Sequence, residues 1–279
     1  MDRLLVVDGS NLLFQMFYGM PARILNARGR PIQGTLGFVG ALLKIIRWTE
    51  PTHIAVLFDG EHENSRGRLD ENYKANRTDY SLLSEEDTPF FQLPDVYAAL
   101  DFLGIPHAET TDCETDDWIA GYAHACGERE MVIASLDSDY FQLITDRIRV
   151  LRYRGEKTVL CDPGYIREKL GIEPAQYADF KSLTGDHSDN IRGAEGIGPK
   201  TAAALLREFG SLENLLIHAE QISKPSVRTS VLRNAGRLRR NRALICLENE
   251  VPLPLTVEEM AYRHTGITTT EVLRGIGLR

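Results

Sequence analysis

Short, almost wholly apolar runs alternate with longer stretches of helical period through the first 160 or so residues. Residues 3–7 end in Asp8-Gly9, residues 53–58 end in Asp59-Gly60, and residues 131–136 end in Asp137-Ser138-Asp139. Apolar runs of this length, bounded by turn residues, read as strands buried on both faces, as in a parallel sheet. Between them, residues 36–48 place Phe38, Leu42, Ile45 and Ile46 on one helical face before Pro51, and residues 96–103 repeat that period up to Gly104. A short strand is predicted at 105–108, a helix at 115–126, a helical turn at 140–143, and two strands at 148–153 and 157–161 around Arg154-Gly155. After Asp162-Pro163 the pattern changes to short helices at 164–170, 174–183, 199–209, 211–218 and 230–247, and 251–279 gives only a loose strand-and-helix reading. The prediction is an α/β fold: a mostly parallel sheet flanked by helices over 1–172, and a smaller all-helical domain over 173–279. In open α/β sheets, ligands bind at the carboxyl ends of the strands, which is where three of these strands place acids.

One stretch breaks the alternation. From residue 61 to about 94 hydrophobic periodicity is lost at first, and Arg66, Arg68, Lys74 and Arg77 are interleaved with Tyr73 and Tyr80. It reads as an exposed loop or a mobile helical segment crossing the strand ends. Cations beside aromatics suit unpaired nucleotides, although a solvated loop face gives the same pattern.

Composition bears on this picture in three ways. At 43% hydrophobic residues the chain can bury a sizeable core. No run approaches the ~18 apolar residues of a membrane span, and residues 4–7 are too short for a signal-peptide core, so a soluble, cytoplasmic protein is expected. The cysteines Cys113, Cys126, Cys161 and Cys246 are widely spaced, which suits reduced thiols better than a zinc site or a disulfide framework. The net charge of −8 argues by itself against a nucleic-acid partner. Nine of the acids, however, fall in the candidate site, and setting them aside leaves the remainder close to neutral. Local basic clusters can then serve a polyanion.

Those acids are Asp8, Asp59, Glu114, Asp116, Asp117, Asp137, Asp139, Asp186 and Asp189. Each has an ordinary alternative. Acids in the first turn of a helix complement its dipole, and Asp before Gly is a common turn. Their conjunction is what points to chemistry. Hard divalent ions take oxygen ligands, and phosphoryl chemistry often uses two of them, clamped by shared carboxylates. Glu114 and Asp117 share a helical face at i,i+3. Asp137 and Asp139 point the same way if their strand runs that far.

Gly196-Ile197-Gly198-Pro199-Lys200-Thr201 opens a helix with proline at a tolerated first-turn position. Glycines let a backbone approach a phosphate, and a helix start favours an anion. The third glycine of a dinucleotide fingerprint is absent. A grip on a duplex backbone that ignores sequence is the sharper reading, and an ordinary helix–helix connection the plainer one. Arg233, Arg237 and Arg240 share a helical face that a solvated role would equally explain.

Taken together, Val6-Val7-Asp8-Gly9-Ser10, Phe58-Asp59, Arg66 followed by Tyr73-Lys74-Ala75-Asn76-Arg77, Glu114-Thr115-Asp116-Asp117, Asp137-Ser138-Asp139, and Leu183-Thr184-Gly185-Asp186-His187-Ser188-Asp189-Asn190 through Gly196-Ile197-Gly198-Pro199-Lys200-Thr201-Ala202 resemble the 5′-nuclease (flap endonuclease) family. The similarity is greatest to the 5′–3′ exonuclease domain of bacterial DNA polymerase I and covers residues 3 to about 255. It implies a PIN-like catalytic domain and a helix–three-turn–helix duplex-binding domain. It also implies hydrolysis of DNA phosphodiesters at 5′ ends and flaps with two Mg²⁺ or Mn²⁺ ions. By resemblance, Asp8, Asp59, Glu114 and Asp116 hold the first metal, and Asp117, Asp137, Asp139 and Asp189 the second, with Asp186 acting through water. Asp116 is the residue expected to touch both. Lys74 and Arg77 contact the scissile phosphate from an arch or gateway, with Arg66 and Tyr73 also on the DNA. Gly196, Gly198, Lys200 and Thr201 grip the duplex, with K⁺ on backbone carbonyls. The partner expected is flapped, nicked or branched DNA, met by a monomeric, stand-alone nuclease. Gln15 and Ser138 stand where the family usually has Arg and Lys, and Arg192 replaces a common Pro. A PIN-type ribonuclease and a non-catalytic DNA-binding protein are the competing classes.

Overall fold

Six strands build one sheet in the computed structural model, which describes residues 2–60, 66, 69–76, 78 and 80–279. They are β1 (Arg3–Asp8), β2 (His53–Phe58), β3 (His107–Glu109), β4 (Glu130–Ala134), β5 (Ile148–Arg152) and β6 (Val159–Cys161). Their spatial order is β3-β2-β1-β4-β5-β6, parallel throughout except for the β5–β6 pair. The central strands are apolar on both faces because both faces are covered. Leu4, Val6, Ala55, Leu57, Met131 and Ile133 point into one core, and Leu5, Val7, Ile54, Val56, Phe58 and Val132 into the other. Strand order reverses between β1 and β4, and the crevice outside that switch point is where such sheets bind ligands.

Helices α1 (Gly9–Gly19), α2 (Gln33–Thr49) and α3 (Leu93–Leu103) cover the second face, while α4 (Thr115–Ala125) and a 3₁₀ turn at Asp139–Leu143 cover the first. Helix α1 is absent from the sequence reading, where Asp8-Gly9-Ser10 looked like a turn. Asp8 in fact caps it, accepting from Asn11 N at 2.9 Å. Strand β4 stops at Ala134, earlier than predicted, so Asp137 and Asp139 lie beyond it.

The helical part consists of α5 (Pro163–Leu170), α6 (Tyr177–Thr184), α7 (Pro199–Phe209), α8 (Leu212–Ile217) and α9 (Pro225–Ile245). A two-stranded ribbon, β7 (Gly185–Asp186) and β8 (Ile191–Arg192), joins α6 to α7. Ile166, Phe180, Leu183, Leu205 and Leu238 belong to the same core as the first sheet face, so the two parts are packed together. The expected unit 173–279 also makes contacts with the sheet part. Past residue 250 the chain returns to the sheet side. Leu255 O accepts from Tyr122 Oη at 2.9 Å, and Tyr262 N donates to Thr52 O at 2.8 Å. A last helix, α10 (Thr269–Gly275), buries Val272 and Leu273 beside α2 and α3. Among the described residues no helix is long and apolar enough to cross a membrane.

Candidate metal centre and gateway

Asp8, Asp59, Glu114, Asp116 and Asp137 converge on one cavity of about 760 Å³ at the carboxyl ends of β1, β2 and β4 and the start of α4, with Lys74 in its wall. Each acid is aimed by a local bond. Asp8 Oδ2 accepts from Ser135 Oγ at 3.0 Å and Tyr140 Oη at 3.2 Å. Asp59 accepts from Thr115 N at 3.1 Å, the first helical amide of α4. Tyr140, wholly buried, also donates to Asp116. Asp137 Oδ1 accepts from Asp139 N at 2.9 Å.

That last bond is an Asx-type turn, and it separates the two acids. Asp139 opens the 3₁₀ turn and faces Asp186 and Asp189; one carboxylate oxygen of each of the three lies within 4.8 Å of the others. The expectation that Asp137 and Asp139 point the same way is therefore corrected: each serves a different acidic group. Asp137 stands between the groups, and its charge bears on both Asp116 and Asp139. Asp116, expected to bridge, lies with the first group.

The electrostatics are those of gathered anions, only some of which face a cation. Burial first, then Asp59 and Asp137, push the Asp8 carboxyl up to about 7 against the bonds from Asn11 and Ser135. Burial and Asp137 hold Asp116 well above the carboxylate range. Burial, Asp137 and the facing acids do the same to Asp139, whose Oδ1 is buried without a hydrogen-bond partner. Burial would also raise Asp186, but Lys181 and Ser188 outweigh it and hold that carboxyl below its usual range. A buried, orphaned carboxylate oxygen among raised acids, in a donor set made wholly of hard oxygens, fits divalent cations such as Mg²⁺ or Mn²⁺.

Two expectations fail here. Asp117 does not reach either group. One residue on from Asp116, it turns about 100° around the helix and takes Arg66 in a fork, Nη2 to Oδ1 at 2.5 Å and Nη1 to Oδ2 at 3.0 Å, with Glu248 N at 2.9 Å. Arg66, expected on the DNA, is buried. It is 3% exposed, it also donates to Glu114 Oε2 at 2.5 Å and to Cys246 O at 3.2 Å, and these partners outweigh burial to raise its pKa. The face shared by Glu114 and Asp117 thus holds Arg66. Glu114 lines the cavity but is engaged: Lys74 Nζ pairs with Oε1, and Tyr73 Oη donates to Oε2 at 3.3 Å. Burial would raise Glu114, yet Lys74 and Arg66 hold it below its usual range.

Tyr73 packs against the small cluster of Ala178, Ile191, Leu244 and Ile245 and is half-buried, not splayed towards solvent. Arg77 lies outside the described residues. At the far side, Gly196 adopts φ +75° and Gly198 caps α7, leaving Gly196, Gly198 and Lys200 exposed and Thr201 half-exposed over the buried Ile197. The sequence reading missed Tyr140, Ser135 and Lys181. Nothing in their spacing marks them, since each reaches its acid through the tertiary fold.

The family model for the 5′-3′ exonuclease N-terminal resolvase-like domain matches residues 3–171, and that for the 5′-3′ exonuclease C-terminal SAM fold matches residues 172–267. Similar curated proteins include the thermostable DNA polymerase I of Thermus thermophilus, 36% identical over 90% of this chain and 29% of its own length. DNA polymerase I of Rhizobium leguminosarum is 36% identical over 93% of this chain and 26% of its own. The chain therefore spans less than a third of these relatives. Among solved structures, the T5 D15 protein co-crystallised with metal ions superposes with a TM-score of 0.73 at 23% identity, covering 87% of this chain and 88% of that one. The catalytic core of Rad2 in complex with DNA substrate gives 0.58 at 16%, covering 99% and 93%. With both family models spanning nearly all of the fold that carries the two acidic groups, the chain belongs to the 5′-3′ exonuclease family.

Proposed function

We propose that the protein is a structure-specific 5′-nuclease that hydrolyses DNA phosphodiester bonds at 5′ ends and 5′ flaps with two divalent cations, Mg²⁺ or Mn²⁺. The observation that carries this reading is the pair of acidic groups meeting at Asp137, beneath a segment that presents Lys74. Asp8, Asp59, Glu114, Asp116 and Asp137 would hold one cation, and Asp139, Asp186 and Asp189 the other. Bound there, the cations supply Lewis-acid activation of water and neutralise charge on a phosphodiester.

The chain's own residues do the rest. Tyr140 orients Asp8 and Asp116, its single hydroxyl lying within hydrogen-bond distance of both. Lys74 swings from Glu114 onto the scissile phosphate, where an ammonium group stabilises developing negative charge. Arg77 is assigned beside it from the family resemblance. Gly196, Gly198, Lys200 and Thr201 meet the duplex backbone, and backbone carbonyls of that turn are the proposed K⁺ site. The protein acts as a cytoplasmic monomer on flapped, nicked or branched DNA.

The test is cleavage of an end-labelled 5′-flap duplex with Mg²⁺, with and without EDTA, mapping the cut. Cleavage near the junction that EDTA abolishes is expected. Binding without turnover in either Mg²⁺ or Mn²⁺ would support a non-catalytic role instead, and preferential cutting of an RNA 5′ strand a ribonuclease.

A further inference from the structure

The base of the gateway is sewn to the loop that carries the second acidic group. Asn190 Nδ2 donates to Asn72 O at 2.9 Å, Lys74 N to Asp189 O at 3.1 Å, and Asn76 Nδ2 to His187 O at 2.9 Å. These bonds join residues 72–76 to residues 187–190 across more than a hundred positions of sequence. Two of the residues involved, Lys74 at φ +56° and Asn190 at φ +58°, are left-handed, a conformation that few non-glycine residues adopt. The seam is tight on both sides. Ribbon β7–β8 closes the loop, Tyr73 packs against the small cluster that includes Ile191 and Leu244, and Lys74 leaves the seam with its side chain directed at Glu114.

We infer that Asn190 is a positioning residue for Lys74: from the loop of Asp186 and Asp189 it fixes the backbone at Asn72, and so places the Lys74 amine over the first acidic group. This rests on the nuclease reading and adds to it. The two acidic groups are linked through the gateway as well as through Asp137, so whatever orders the Asp186–Asp189 loop also sets the cation. The plain alternative is that Asn190 merely tolerates the left-handed turn that closes the ribbon.

Two variants separate these roles. Asn190→Gly keeps the left-handed backbone and removes the donor. Asn190→Asp keeps the shape but sets an acceptor against the Asn72 carbonyl. Under the positioning role, single-turnover cleavage of the 5′-flap substrate slows about tenfold or more in both variants, the loss expected for about 1.4 kcal/mol, while DNA affinity and the Mg²⁺ midpoint stay within about twofold. In a Lys74→Ala background the same substitutions change nothing further, because the group they place is gone. Full wild-type rates in Asn190→Gly, or an equal loss in the Lys74→Ala background, would overturn the inference. If wild-type protein itself fails to cleave, the nuclease reading falls, and the placement is still read by amine-reactive labelling of Lys74 with mass spectrometry. Labelling several-fold faster in folded Asn190→Gly than in wild type is expected, and equal labelling would overturn the inference. Should Asn190→Asp fail to fold, Asn190→Gly decides alone.

Discussion

The Asp8 carboxyl shows what the fold does to single residues here. Solvated, it titrates near 3.8, and in the folded chain near 7. Between those values the folded protein binds the proton more tightly than the unfolded one, so this contribution to stability is fullest below about pH 4 and is lost as pH rises towards 7. At about 1.4 kcal/mol per pH unit, the loss over that window is on the order of 4 kcal/mol for Asp8. Asp116 and Asp139 move in the same direction. Glu114 and Asp186 move the other way, and their stabilisation is lost only below the usual carboxylate range. The melting temperature of EDTA-treated protein is therefore expected to fall from about pH 5 to about pH 7.5, and Mg²⁺ to raise it most at the upper end, where Asp8 has mostly lost its proton and the ion competes with fewer protons. A melting temperature that climbs over this range in EDTA would contradict the assignment. Asp117 carries the opposite lesson. Its position in an acid-rich helix start made it look like a ligand, and only the fold shows that Arg66 claims it. A buried carboxylate and a ligand carboxylate look identical in sequence.

At the scale of elements, the strand ends were legible because a buried parallel strand leaves a plain trace: a wholly apolar run ending in Asp-Gly. What was not legible lies where a local rule competes with a tertiary one. Helix α1 was hidden because Gly9, Ser10 and Asn11 favour turns, yet Asp8 caps the helix and Leu12 and Leu13 anchor it in the core. Asp137 and Asp139 were read in strand register, but the Asx bond between them starts a turn. The ribbon β7–β8 is too short to leave a periodic signal. It depends on Gly185, whose φ of +83° and ψ of 171° suit glycine alone, and a Cβ there would lie 2.5 Å from Gly193 N. Gly185→Ala is accordingly expected to destabilise the protein by about 1–3 kcal/mol and to weaken Mg²⁺ binding by displacing Asp186. Denaturant melts and metal titration check both, and an unchanged Mg²⁺ midpoint would show that the ribbon does not hold the second acidic group.

The whole molecule is also tied together at two other places. Arg66 links the gateway, the start of α4 and the end of α9 through Asp117, Glu114 and Cys246. The terminal helix α10 closes the core behind α2 and α3, although the sequence placed it in the helical domain, because residues 251–279 carry little periodicity of their own. Leu273 is wholly buried there, far in the chain from both acidic groups. Leu273→Ala should cost about 2–5 kcal/mol of stability while leaving flap cleavage at 25 °C close to wild type, measured by denaturant melts and initial rates. A large loss of rate in folded protein would mean that α10 bears on the site. In the proposed function both acidic groups act as one hydrolytic centre through Asp137. Its most direct test is the single-turnover rate of 5′-flap cleavage at saturating Mg²⁺ for Asp137→Ala against wild type, both shown folded by circular dichroism. A loss of about a hundredfold or more, on the order of 3 kcal/mol of transition-state stabilisation, is predicted, and cleavage at the wild-type rate would contradict it.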